Sequence, residues 1–372
     1  MKKKIVFLSG TRADFGKIKS IIKLISNEFD IKIYVTGMHL LNEFGNTYKE
    51  IQKVFPKKII YKKNNQIKDA SLDITLAQTI FQFSNFIKQY KPDMIIAHGD
   101  RAEAFAAAIV GSLNNILLGH IEGGERSGNI DEHIRHSISK LAHIHFVSNK
   151  SAKQRLVKLG EREDKIFIVG NPDIDILKSK FLPDINKIKK RYDIQFEDYI
   201  IFLFHPDNNP KSIISQNLKR IINSLKLSKK KIIFIYPNND FGSDVVIKTF
   251  KTSMRNNKNF KLIKSMRFEY FLGLLKNSKL IIGNSSSGIH EAPFYGVPTI
   301  NIGDRQKNRA KIVSISNIDF NTNKILKLIN KLYNVKFSQD KTFGDGRSAE
   351  KIYLKLKSNK IWQTKTQKHL SY

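Results

Sequence analysis

The sequence contains no cysteine. That excludes disulfides, thiolate metal sites and cysteine nucleophiles together. It has no apolar run near the roughly 18–20 residues that span a bilayer. The opening MKKKIVFLSG is basic and then apolar, but it lacks a small-residue cleavage site and passes straight into a polar turn, so it reads as a first strand and not as a secretion signal. Acidic residues are scarce: 33 Asp and Glu stand against 65 Lys and Arg, a formal charge of +32 over 372 residues. Yet there is no arginine-rich arm and no stripe of interleaved basic and aromatic residues; lysines are spread along the whole chain. That distribution favours a small anionic ligand over nucleic acid. No solenoid repeat is present. A cytoplasmic enzyme that acts away from membranes is the expected class.

What the sequence does have is enough apolar content, 41%, to build packed cores. Its length suggests about two domains. Apolar runs with little alternation recur between helical patterns: 4–9, 31–37, 93–99, 115–120, 144–148 and 165–170, then 199–206, 231–237, 279–284 and 298–303. Continuous apolar strands alternating with helices predict buried parallel sheets. The series occurs twice, which predicts an α/β fold of two Rossmann-like, doubly wound domains (1–178 and 179–372) facing a cleft. The last helix could pack back on the first domain, and the tail beyond about 345 reads as helical, then polar and frayed. Ligands of such sheets sit beyond the carboxyl ends of the strands.

The polar motifs fall there. SGTRADFGK (9–17) is a glycine turn opening a helix, suited to phosphate through free N–H groups and Arg12. It matches neither the P-loop nor the dinucleotide glycine pattern. HGDR (98–101) places Asp100 and Arg101 before an alanine-rich helix, with Asp100 either an N-cap or a base. HIEGGERSGNIDEHIRH (120–136) predicts a helix from about 130, with Ile134, Ile138 and Leu141 as its buried stripe and Glu132, Arg135, His136 and Ser139 on another face. Asn129 and Glu132 could form a capping box. Nothing of that kind explains Glu122 before Gly123-Gly124. The spacing of His120, Glu122, His133 and His136 fits no zinc pattern, so no metal is expected. FHPDNN (204–209) sets His205 at a strand end, a candidate for phosphate contact or catalytic acid–base work. GNSSSGIHEAP (283–293) predicts serines 285–287 opening a helix that carries Glu291, a diphosphate and ribose cradle. GDRQKNR (303–309) adds Arg305 and Arg309.

Taken in order, GTRADFGK, VTGMHL, HGDRAEA, HIEGGE, IDEHIRH, GNSSSG and INIGDRQ resemble the hydrolysing UDP-N-acetylglucosamine 2-epimerases of sialic-type acid synthesis, over about residues 4–310. The resemblance implies the glycosyltransferase-B arrangement, a UDP-sugar substrate, no cofactor, and a homodimer or homotetramer. By position it implies that Asp100 and Glu122 are the catalytic carboxylates, with Asp131 or Glu132 a third acidic group. His205 would meet the diphosphate. Arg12, Arg101, Asn238, Ser285, Ser286, Glu291 and Arg305 would hold the nucleotide. Gly16 and Asp244 depart from residues found in some members. The reaction so implied releases N-acetylmannosamine and UDP through a glycal, the Gly123-Gly124 turn letting the sugar approach the backbone. A UDP- or GDP-linked diacetamido-trideoxyglucose substrate fits the same motifs. A sugar transferase of the same architecture is the competing class.

Overall fold

The computed structural model describes residues 2–42, 45–65, 71–127, 130–178, 182–206, 209–237, 242–307, 309–369 and 371. They form two compact units. One comprises Met1–Glu125, Ile130–Ile176 and Phe343–Tyr372; the other comprises Arg126–Asn129 and Leu177–Thr342.

The first unit holds a seven-stranded parallel sheet. Its strands are β1 (Lys4–Ser9), β2 (Asp30–Val35), β3 (Ile60–Lys62), β4 (Met94–His98), β5 (Leu117–Ile121), β6 (Ile144–Val147) and β7 (Ile166–Ile168), in the order β3-β2-β1-β4-β5-β6-β7. Alternate residues face two cores, as the two-residue strand period requires. Ile5, Phe7, Ile33 and Ile96 pack on one side with Ile18 and Ile22 of the first helix. Val6, Leu8, Tyr34 and Ile95 pack on the other with Phe83 and Ala107. That is why these strands are apolar on both faces. The C-terminal helix Ser348–Lys357 belongs to the first of these cores through Ile352 and Leu356. Each such fully buried side chain contributes about 1.5–3 kcal/mol.

The second unit repeats the plan with β8 (Ile200–Leu203), β9 (Ile232–Ile235), β10 (Phe260–Ile263), β11 (Leu280–Gly283), β12 (Thr299–Ile302) and β13 (Ile315–Ile318), in the order β10-β9-β8-β11-β12-β13. Among the described residues every strand pair in both sheets is parallel. Each sheet therefore has one point where the winding reverses, between β1 and β4 and between β8 and β11. There the loops that follow neighbouring strands diverge and leave room for a ligand.

Three strands escaped the sequence reading: β3, β10 and β13. All lie at sheet edges, with partly exposed sequences IYK, FKLI and ISNI. An edge strand pairs on one side only and needs no unbroken apolar run.

Candidate active site

In the first unit the residues beyond β1, β4, β5 and β7 converge. Thr11 caps the helix Arg12–Ile25, with Asp14 completing a capping box, a motif worth about 1 kcal/mol. This holds the turn after β1 and aims the helix's first turns. Lys17, on the second turn, donates to both carboxylate oxygens of Glu122, at 3.1 and 3.2 Å. The same ammonium lies 3.0 Å from Oδ2 of Asp173. His98, the last residue of β4, has its Nε2 3.4 Å from Glu122. Glu122 and Asp173 are 5% and 0% exposed. Burial raises the Asp173 carboxyl above the usual carboxylate range; Lys17 opposes this shift and Glu122 adds to it. One ammonium facing two buried carboxyl groups favours a proton on Asp173.

Glu122 follows β5 in the left-handed backbone region, with φ of 66°. For a residue with a Cβ this costs roughly 1–2 kcal/mol. The turn it starts needs glycine for a reason internal to the protein. A Cβ on Gly124 would sit 2.4 Å from the Ala152 carbonyl, and one on Gly123 would sit 2.9 Å from His120 and Ser139 side-chain atoms. The space at these two glycines is thus filled by the protein's own atoms, and the expectation that the turn opens room for a sugar is not needed to explain them.

Asp100 lies one residue before the N-cap of Ala102–Leu113, a role that falls to Arg101 without a side-chain bond. The capping reading of Asp100 therefore fails. Its carboxylate instead bonds the guanidinium of Arg135. Arg135 is 2% exposed and also donates to the Glu125 carbonyl at 3.2 Å. Asp100 keeps 26% of its side chain exposed, so a buried cation is paired with a reachable carboxylate. Arg135 comes from the helix Ile130–Leu141, where Ile138 is buried and Ile134 and Leu141 pack beside it, the expected stripe. Asp131 and Glu132 stand in its first turn. Glu132 pairs with His136 at 3.7 Å. Asn129, the proposed cap, lies outside the described residues.

Arg12 forms an ion pair with Glu50 at 2.9 Å. Arg101 lies 3.4 Å from Glu103, which is buried beneath Gly10 and Gly37. Both arginines keep about a third of their side chains exposed, 31% and 35%.

In the second unit Gly283 ends β11 with φ of 135°, where a Cβ would lie 1.7 Å from the Leu203 carbonyl oxygen, so only glycine fits. The next residue, Asn284, bridges the reversal point: its Oδ1 accepts from His205 N–H at 2.7 Å and its Nδ2 donates to His205 C=O at 2.8 Å. Arg305 donates to the Asn284 carbonyl at 3.2 Å. His205 is buried, and burial, helped by the Arg305 charge, pulls its imidazole down to about 3. The ring is neutral at physiological pH and can offer an N–H but no charge. The serines do not open a long helix. Ser285 accepts from Ser287 N–H at 3.3 Å, a short 3-10 turn spans Ser286–Gly288, and Glu291 starts a separate one-turn helix, Glu291–Phe294. Glu291 is 4% exposed. Asn238 lies outside the described residues.

Sequence reasoning missed Lys17, His98 and Asp173. Position was a signal for His98, which ends β4; Lys17 lies on the second turn of the helix after β1 and Asp173 on the first turn of the helix after β7.

Two doubly wound units, each with polar side chains gathered beyond its strand ends, make this a glycosyltransferase-B-like α/β protein. The family model described as UDP-N-acetylglucosamine 2-epimerase matches residues 23–357. A UDP-N-acetylglucosamine 2-epimerase of Neisseria meningitidis is 42% identical, over 98% of each chain. A GDP/UDP-N,N'-diacetylbacillosamine 2-epimerase (hydrolyzing) of Campylobacter jejuni is 35% identical, over 91% of this chain and 90% of that one. A crystal structure of a UDP-GlcNAc 2-epimerase from Neisseria meningitidis bound to UDP-GlcNAc shares the fold, with a TM-score of 0.82 at 22% identity over 95% of this chain and 99% of that one. The chain belongs to the UDP-N-acetylglucosamine 2-epimerase family and is an enzyme of that family. No helix among its described residues is long and apolar enough to cross a membrane.

Proposed function

We propose that the enzyme is the hydrolysing form, converting UDP-N-acetylglucosamine and water into N-acetylmannosamine and UDP. The observation that carries the reading is the pair of carboxylates beyond adjacent strands: Asp100 on Arg135 after β4, and Glu122 on Lys17 after β5. The C2 hydrogen of the sugar is not acidified by a carbonyl, so its removal must accompany loss of the diphosphate from C1. In whichever carboxylate acts as the base, the neighbouring cation favours the ionised form that accepts a proton. One takes the C2 proton as the C1–O bond breaks and UDP departs, leaving a glycal. A second acid, drawn from Asp100, Glu122, Asp131 or Glu132, protonates C2 from the opposite face. Water adds at C1 and gives up a proton, so the sum is UDP-N-acetylglucosamine plus water to N-acetylmannosamine plus UDP.

The proposed nucleotide contacts are Arg12, Arg101, Ser285, Ser286, Glu291, Arg305, Asn238 and neutral His205, the last as an N–H donor to phosphate. No cofactor or metal enters this scheme. A second substrate is favoured by one finding, the hydrolysing name of the 35% identical Campylobacter relative: a UDP- or GDP-linked diacetamido-trideoxyglucose. Incubation with UDP-N-acetylglucosamine and no acceptor tests the proposal. Equimolar UDP and free N-acetylmannosamine support it; UDP-linked N-acetylmannosamine would show the non-hydrolysing reaction, and no free sugar would favour a transferase. Running the diacetamido substrate in parallel decides between the two sugars by kcat/KM.

A further inference from the structure

The polar tail, expected to fray, is docked on the first unit. The carbonyl of Thr366 lies 2.9 Å from Nε2 of His143, and Ser371 N–H donates to the Gly160 carbonyl at 2.9 Å. Between these contacts the Lys368 side chain, 20% exposed, turns inward. Its ammonium lies 3.1, 2.7 and 2.7 Å from the carbonyls of Ser139, Lys140 and Ala142. It also lies 2.5 Å from Oε2 of Glu161, which is itself 3.0 Å from Nε2 of buried His145. Three N–H groups face four acceptors, so one is shared. The carbonyls belong to the end of the helix Ile130–Leu141, where unpaired C=O groups and the helix dipole concentrate negative charge. Burial alone would raise Glu161, but His145 and Lys368 outweigh it and hold the carboxyl below its usual range.

From this cap a hydrogen-bonded path leads to the carboxylates. Ser139 Oγ lies 3.0 Å from Nδ1 of His120, and Nε2 of His120 lies 2.8 Å from the Gly99 carbonyl. Burial pulls His120 down to about 3, so its ring is neutral. A carbonyl can only accept. Nε2 therefore carries the hydrogen, and Nδ1 accepts from the Ser139 hydroxyl. Gly99 precedes Asp100, and His120 stands two residues before Glu122. One turn before Ser139, Arg135 holds Asp100 directly.

We propose that Lys368 is a positioning residue: by clamping the end of the helix Ile130–Leu141 it holds Ser139 and Arg135, and through them the loop that bears Asp100, in working geometry. The effect on turnover rests on the proposed roles of Asp100 and Glu122; the clamp itself does not. The test uses full-length Lys368→Met and Lys368→Arg, with Lys368→Gln as a milder variant should the first not fold. Amide exchange over residues 136–142 and steady-state kinetics are measured on each. Lys368→Met should speed exchange of the helix end about tenfold and lower kcat about tenfold with KM within about twofold. Lys368→Arg should restore most of both, since a guanidinium can cap the same carbonyls. Unchanged exchange overturns the clamp; faster exchange with unchanged kcat overturns the positioning role. If the wild type turns over no nucleotide sugar, the proposed reaction fails and the positioning role with it, while the exchange rates still decide the clamp.

Discussion

Lys17 and Glu122 stand 105 positions apart in the chain, and the ammonium of one reaches both carboxylate oxygens of the other at 3.1 and 3.2 Å. The parallel order β1-β4-β5 brings them together: the helix after β1 and the turn after β5 leave the sheet on the same edge. Removing Lys17 leaves Glu122 buried beside Asp173 with its bridging cation gone. Breaking a buried pair from one side costs about 3–5 kcal/mol, and less where solvent reaches one partner, as it does here. Lys17→Met should therefore lower stability in urea unfolding by about 2–4 kcal/mol and turnover by at least about tenfold. Adding Glu122→Gln to that variant should cost little further stability, because both act through one contact. Additive losses would contradict the shared role.

Asp100→Asn and Glu122→Gln keep shape and remove the proton acceptor. Each should lower kcat by about 10²-fold or more while leaving UDP affinity nearly intact. Steady-state kinetics with calorimetric UDP titration checks both halves. Normal turnover in the two variants would remove the carboxylates from the chemistry.

His205 makes a prediction about pH. Its folded-state value, about 3, lies below the ordinary 6.5, so between those values the unfolded chain binds more protons than the folded one. Stability then rises with pH through that window and is lost as pH falls from about 6.5 toward 3. His205→Gln should flatten that slope in pH-dependent denaturant melts. A ring NMR signal of His205 that titrates near 6.5 in the folded protein would contradict the buried neutral imidazole.

Arg12 and Glu291 are each proposed to contact the nucleotide. Alanine at either should weaken UDP binding by about 1–3 kcal/mol, the worth of a charge-assisted hydrogen bond. The Arg12→Ala figure should fall near the lower end, because Glu50 already shares its charge at 2.9 Å. Unchanged affinity in both variants would move the nucleotide away from these loops.

Of the thirteen strands among the described residues ten were legible, most because a strand buried on both faces must be apolar throughout; Ile5–Leu8 or Ile200–Leu203 leave no other reading. The edge strands β3, β10 and β13 carry no such constraint. Asp100 and Glu122 stand out as candidates because a carboxylate after an apolar strand is conspicuous. Lys17 was not: in GTRADFGK it looks like one more surface lysine in a lysine-rich chain, and only the sheet order places it on Glu122. Asp173 hides likewise in NPDID, where any of several polar residues could close a turn. Asp100 looked like a helix cap because caps depend on local sequence, whereas its partner Arg135 is 35 residues away. The tail looked frayed for the same reason, since Lys368 finds its partners more than 200 residues back.

The central claim is that the C2 proton is exchanged while the nucleotide is lost. The most direct measurement runs the reaction on UDP-N-acetylglucosamine in D₂O and reads the product by NMR. The account predicts free N-acetylmannosamine with deuterium at C2 and UDP released in equal amount. Protium retained at C2, or a 2-epimer still joined to UDP, would contradict it.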